Sequence, residues 1–241
     1  MPTQIHIGNS LIQDGITTFD CWRSRLDPVD ILEFNLFSGL GLVIEKGSPT
    51  DFWIANFGGK LTKVFAGQID SVGSALRARD GMVEVLKTPV YQTFLNATPQ
   101  EILSAGLQLA GITDFQLSSK VFPRRNFVAA VPSVHDLIKR INQAWEIGFD
   151  AYFDTERVFH WHERPAQSTL PVFAYGQNII SLDFDDTKGT LLTVGLPEID
   201  HSMLIGIDHP SVPATEVLVD TVHHYQGEKG GMRTEIYFSL I

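Results

Sequence analysis

The chain has one cysteine among 241 residues, Cys21, so it cannot close a disulfide within itself, and it suits a reducing compartment. Basic residues are few. Lys and Arg number 18 against 28 Asp and Glu, a formal charge of −10. Proteins that grip nucleic acid through its phosphates need the opposite balance. The one basic cluster, Arg124-Arg125 with Lys120 nearby, is too small to supply it. No run is apolar enough to cross a bilayer: the longest uncharged stretch, Pro165 to Leu182, holds two prolines, Gln167, Gln177 and Asn178. The N-terminal MPTQIHIGNS lacks the basic and apolar regions of a secretory leader, which predicts synthesis in the cytoplasm.

Catalytic motifs are missing as well. No G-x-S-x-G elbow and no G-x-x-x-x-G-K-[ST] loop occurs, and Gly39-Leu40-Gly41 begins a dinucleotide fingerprint in which Ile44 takes the place of the third glycine. Cys21 lies between Asp20 and Trp22, which is not an electropositive setting for a nucleophile. His160-Trp161-His162-Glu163 is the sharpest metal candidate, because residues two apart share a face of a strand. A site built on His160 and His162 still needs a third ligand, and none stands at a recognised spacing. His223 and His224 are adjacent and would diverge on a strand. Asp183-Phe184-Asp185-Asp186 resembles half of a calcium loop, yet lacks its sixth-position glycine and terminal glutamate. With Lys188-Gly189 following, it reads as a charged turn after a strand. The residues predict no catalytic group, no metal and no cofactor.

Apolar residues, in contrast, are plentiful: 44% are hydrophobic and 19% charged, enough for a sizeable core. Asp30 to Phe37 alternates Leu32, Phe34 and Leu36 with Glu33 and Asn35, the period of a strand. Leu42 to Glu45, Trp53 to Phe57, Lys63 to Ile69 and Gly81 to Leu86 are read as further short extended segments. The middle of the chain changes character. Thr98-Pro99-Gln100-Glu101 is a capping box with proline at the first helical position, and Ile102, Leu103, Leu107 and Ala110 recur at helical spacing before a stop at Gly111. A second helix begins at Ser133, with a stripe of Val134, Leu137, Ile138, Ile141 and Trp145 ending at Gly148. A hairpin with its tip near Asp154 to Arg157 follows. Strands then return at Ile179–Phe184, Thr190–Val194, Ser202–Ile207, Glu216–Tyr225 and Met232–Leu240, the last two joined by a turn at residues 228–231. The pattern predicts a mainly β (α+β) fold of sandwich or barrel type with an α/β insert.

Four segments in order carry a resemblance. Val64-Phe65-Ala66-Gly67-Gln68-Ile69 resembles the V-F-x-G-x-I strand of phage tail baseplate hub proteins of the late control protein D group. Thr88 to Leu103 resembles that family's approach to its first insert helix, Ser133 to Ile138 its second helix, and Gly148 to Asp154 the hairpin after it. The N-terminal region of type VI secretion spike proteins is similar.

The resemblance implies two small tail-tube-like β-barrels with an inserted α/β domain, divided at 1–96, 97–164 and 165–241. It implies a homotrimer forming a pseudo-hexameric ring in the virion's tail baseplate, of a contractile tail by preference. Such a ring joins the tail tube protein to a spike protein, with a tape measure protein and other baseplate proteins as further neighbours. The spike is expected as a separate chain, since this sequence ends soon after its final strand. DNA would pass through without specific binding, and no membrane is involved. Open barrels leave strand edges that a ring can pair, so Leu32, Phe34 and Leu36, and Arg233, Glu235 and Tyr237, are the interface candidates. Asp183, Asp185 and Asp186 are candidates for an acidic pore wall that repels phosphate. Two rival readings stay open. One is a metal-dependent or cell-wall hydrolase using His160 and His162; the other is a carbohydrate-binding β-module stacking sugars on Trp22, Trp53 or Trp161.

Overall fold

A computed structural model describes residues 2–148, 151–164, 166–227 and 230–241. The chain forms two compact units. One combines the residues up to Asp80 with Arg164–Ile241, and the other is Gly81–Glu163.

The first unit opens with β1 (Thr3–Ile7), β2 (Ser10–Gln13), β3 (Ile16–Ser24), β4 (Ile31–Leu36), β5 (Pro49–Ala55), β6 (Leu61–Val72) and β7 (Leu76–Arg79). The second holds α1 (Met82–Lys87), β8 (Val90–Ala97), α2 (Pro99–Leu109), β9 (Phe115–Leu117), β10 (Arg125–Val131), α3 (Val134–Trp145), β11 (Ala151–Phe153) and β12 (Phe159–Trp161). The chain returns to the first unit with β13 (Val172–Ala174), β14 (Ser181–Asp185), β15 (Lys188–Val194), β16 (Leu204–His209), β17 (Val212–Gln226) and β18 (Arg233–Leu240). The fold is mainly β.

All thirteen strands of the first unit join one sheet, whose main path runs β14-β15-β18-β17-β3-β4-β7-β6-β5-β1-β2, with β16 also on β17 and β13 on β16. Alternation decides which side chains go inward. Thr234, Ile236 and Phe238 of β18 are buried, while Arg233, Glu235 and Tyr237 between them stay half-exposed. Two separate cores result. One gathers Ile5, Phe19, Leu32, Phe34, Phe52 and Phe65; the other gathers Phe173, Leu191, Ile205, Val217, Ile236 and Phe238. Each large side chain so buried contributes about 1.5–3 kcal/mol of transfer free energy. β17 ties the halves together. Its first part pairs with β16 (Leu204↔Leu218) and its second with β3 (His223↔Trp22), so one strand serves both cores.

In the second unit, the Thr98 hydroxyl accepts a hydrogen bond from the Glu101 N–H while the Glu101 carboxylate accepts one from the Thr98 N–H, the reciprocal cap its sequence predicts. Hydrogen bonding from the Thr98 N–H, then pairing with Arg124, holds the Glu101 carboxyl below its ordinary range. Ser133 caps α3 by accepting from the Asp136 N–H. Helix α2 approaches α3 at Gly106, where an added Cβ would lie 2.7 Å from Leu137.

Several expectations are corrected. Gly81 to Leu86 is the N-cap and body of helix α1, not a strand, because Met82 and Val85 turn inward at helical spacing. Leu42 to Glu45 forms no strand, and the segment between β4 and β5 carries three left-handed glycines, Gly39, Gly41 and Gly47. α3 stops at Trp145 because Glu146, not Gly148, takes the left-handed position at φ 57°. Residues 81–96, assigned to the first barrel from sequence, lie in the second unit, where β8 pairs with β10. Phe149, Asp150, Glu228 and Lys229, part of the predicted hairpin entry and final turn, lie outside the described residues.

Candidate assembly groove

The strand β3 presents Phe19, Cys21 and Arg23 inward and Asp20 and Trp22 outward. Arg23 is therefore a cation on the core face, and it is satisfied there. Its Nε–H donates to Asp30 at 2.9 Å, and a second N–H donates to Asp200 across 177 residues of sequence. Asp30 also accepts from the Ser24 N–H at 2.9 Å. Burial alone would lower the Arg23 pKa, but Asp200 and Asp30 outweigh it and raise it further. Burial pushes the Cys21 thiol well above its ordinary range, so it is inert as a nucleophile.

One strand along, His224 is sealed in the same interior. Its Nε2 faces the Ile199 carbonyl at 3.2 Å, which can only accept, so Nε2 carries the proton. Nδ1 then accepts from the Thr234 hydroxyl at 3.0 Å. Burial lowers the pKa of this neutral ring to about 4. Asp220 sits at a bulge of β17, where its carboxylate accepts from Arg25 at 2.8 Å and from Ser239 at 3.1 Å.

The outward face is different. Trp22 stacks flat on His223 at 3.6 Å between centroids, and His223 stacks in turn on Tyr225 at 4.6 Å. His223 Nε2 meets Asp20 at 3.0 Å, and the Tyr237 hydroxyl donates to Glu235 at 3.0 Å. Burial, followed by the Glu235 carboxylate, pushes the Tyr237 phenol up to about 12. Beside this aromatic row opens a groove of about 530 Å³. Trp22, Tyr237, Phe184 and Phe238 give it apolar surface; Asp27, Asp183, Asp185 and Lys188 give it charge. Gly189 keeps the floor open, since a Cβ there would meet the Phe238 ring at 2.3 Å.

The predicted site residues divide accordingly. Tyr237, Asp183 and Asp185 meet around this groove, and Asp186 is exposed at the tip of the β14–β15 hairpin with φ 40°. Arg233 and Glu235 share the outer face of β18 with Tyr237. The edge-strand reading is corrected for both segments: β4 pairs with β3 and β7, and β18 with β15 and β17, so neither has a free backbone edge. Leu32 and Phe34 are core residues, and Leu36 packs against the same core.

The two histidines do not converge. His160 is buried on β12, bonded to Asp154 at 2.9 Å and stacked on Tyr152, while His162 follows the strand end with φ 54°, which breaks the alternation. Burial would raise the Asp154 pKa, but hydrogen bonds from His160, Val158 and Glu156 hold it low. Among the described residues no three His, Cys, Asp or Glu side chains are grouped to hold a metal. Trp161 is fully buried and donates to Asn142 at 3.1 Å, so it cannot stack a sugar. Trp53 is half-buried with Lys63 over its ring; Trp22, 38% exposed, is the tryptophan that opens to a groove. Among the described residues no helix is long and apolar enough to cross a membrane.

No family model matches the sequence, and no curated protein is significantly similar to it. Solved structures are similar in fold. The 43 kDa tail protein of prophage MuSo2 from Shewanella oneidensis matches with a TM-score of 0.76 at 12% identity, over 99% of this chain and 97% of that one. A tail protein of Neisseria meningitidis matches at 0.75 and 12%, over 99% and 96%. An Escherichia coli component of the type VI secretion system, described as structurally similar to T4 bacteriophage tail proteins gp27 and gp5, matches at 0.63 and 12%, over 98% and 74%. From end to end, the chain has the β-rich fold of phage tail proteins.

Proposed function

We propose that this chain is a structural hub of a phage tail, a homotrimeric ring that joins the tail tube to a central spike. The observation that carries this reading is the end-to-end likeness to the Shewanella tail protein, which leaves almost none of either chain unmatched. The likeness to a secretion component itself described as resembling gp27 and gp5 supports the hub end of the tail over its shaft. Two cores on one sheet fit two tube-like barrels per subunit, so that three chains can present six similar faces to a tube. The tail tube protein and a spike protein are the partners of such a ring, with a tape measure protein and other baseplate proteins beside it, and the virion tail is its place.

The role is structural and not enzymatic. His160 is committed to Asp154 and Tyr152, and Cys21 is buried. DNA passes the ring without being held, because exposed carboxylates in the passage repel its phosphates. Asp186, exposed at its hairpin tip, is proposed for that wall. Electron microscopy of the purified protein with tail tube protein tests the reading. Three-fold rings with an open centre, capping short tubes, are expected; particles that neither close into rings nor touch tube ends would overturn it.

A further inference from the structure

The groove beside Trp22 has a chemistry that ring formation does not require. Asp27, Asp183 and Asp185 line it, their carboxylates make no ion pair or hydrogen bond among the described residues, and Lys188 is the cation in the lining. Asp220, also in the lining, is already neutralised by Arg25. The free carboxylates are not grouped tightly enough to hold a metal ion. They are spread along about 530 Å³ of space whose apolar surface is mainly aromatic, from Trp22, Tyr237, Phe184 and Phe238. A small, strongly hydrated cation gains little from such a surface. A planar, weakly hydrated cation on an apolar stem gains on both counts, stacking on the indole while its N–H groups reach carboxylates.

From this charge and shape we infer that the groove is a docking site for an arginine side chain presented by a different protein of the tail. The guanidinium lies on the part of Trp22 left open by the His223 ring at 3.6 Å and the tilted Tyr237 ring at 6.1 Å. Asp183 and Asp185 accept its hydrogen bonds. His223, fixed by Asp20 at 3.0 Å, backs the indole so that Trp22 is held ready before the partner arrives. Asp183 and Asp185 are thereby assigned to a partner, which leaves Asp186 to the passage. That the partner belongs to the tail rests on the hub reading, while the chemistry of the groove does not depend on the trimer.

Titration of the purified full-length chain with the peptide acetyl-Arg-Arg-Arg-amide, followed by calorimetry, tests it. Saturable binding is expected, tighter than for the tri-lysine peptide. It should weaken at least about tenfold in the double variant Asp183→Asn/Asp185→Asn and in Trp22→Phe. Asp208→Asn/Glu216→Gln makes the same charge change on exposed sites of the first unit outside the groove, and should bind as the parent does. Equal weakening in both double variants would mean net charge alone attracts the peptide, and would overturn the inference. So would an absence of saturation, or tighter binding of chitotriose, which would give the groove to a sugar. Self-association of the parent chain abolished by Asp183→Asn/Asp185→Asn would give it to a second copy and overturn it equally. A trimer that fails to bind the peptide would refute this inference and leave the hub reading intact; a monomer that binds it would do the reverse.

Discussion

Arg23 and Asp200 stand 177 residues apart in the chain, yet they form an ion pair inside the first unit, with Asp30 closing on the same guanidinium at 2.9 Å. The pair binds the start of the chain to its last third. The Arg23 and Asp30 side chains are 4% and 5% exposed and Asp200 is 33% exposed, so removing the cation strands the buried Asp30 carboxylate. Arg23→Met should lower the unfolding free energy by about 3–5 kcal/mol, measured by urea denaturation. Arg23→Lys should recover only part of it, because an ammonium cannot fork between two carboxylates. A loss under about 1 kcal/mol in Arg23→Met would show that the pair does not hold the two segments together.

The interior histidine sets a pH dependence. The pKa of His224 is about 4 in the folded chain, below its ordinary 6.5, because burial disfavours the charged ring. The unfolded chain therefore takes up a proton as pH falls through 6.5, and the folded chain does not until about 4. Stability is unaffected above 6.5 and declines through that window by about 1.4 kcal/mol per pH unit. Burial lowers the His201 pKa too, which adds to the slope in the same direction. Urea midpoints measured from pH 7.5 to 4.5 check this, and His224→Gln should flatten the curve.

Packing at Gly67 makes a third test. A Cβ there would lie 2.2 Å from the Arg79 carbonyl oxygen, where strands β6 and β7 run side by side. Gly67→Ala must push two paired backbones apart and should cost about 1–3 kcal/mol by thermal unfolding. Gly58→Ala, whose Cβ would meet only the Asn56 side chain at 3.4 Å, serves as the mild control.

The proposed passage is tested in assembled particles. Asp186→Lys places a cation where duplex DNA would slide, and slower genome release is the expected result in an ejection assay. Particles that assemble normally and eject at the parent rate would remove Asp186 from the wall.

What could be read from the sequence follows the range of the physics. Thr98, Glu101 and Ser133 announce α2 and α3 because caps and helical spacing act within four residues. Leu32 and Phe34 announce a strand for the same reason. Whether that strand lies at an edge depends on β7, and Leu76-Arg77-Ala78-Arg79 looks like a polar loop until its two inward residues find the core. Alternation places His162 on one face with His160, and the left-handed backbone at His162 breaks that alternation. Arg23 left a local trace, a charge in phase with Phe19 and Cys21, but its partners could not be named from sequence. Nor could the groove, which needs Trp22 and Asp183 brought together across strands β15, β18 and β17.

The hub reading turns on whether this chain closes with itself. Native mass spectrometry of the purified protein, across a dilution series, measures that directly. A homotrimeric hub gives a dominant species at three times the 26.8 kDa chain mass. A single-chain mass that persists at every concentration would contradict it.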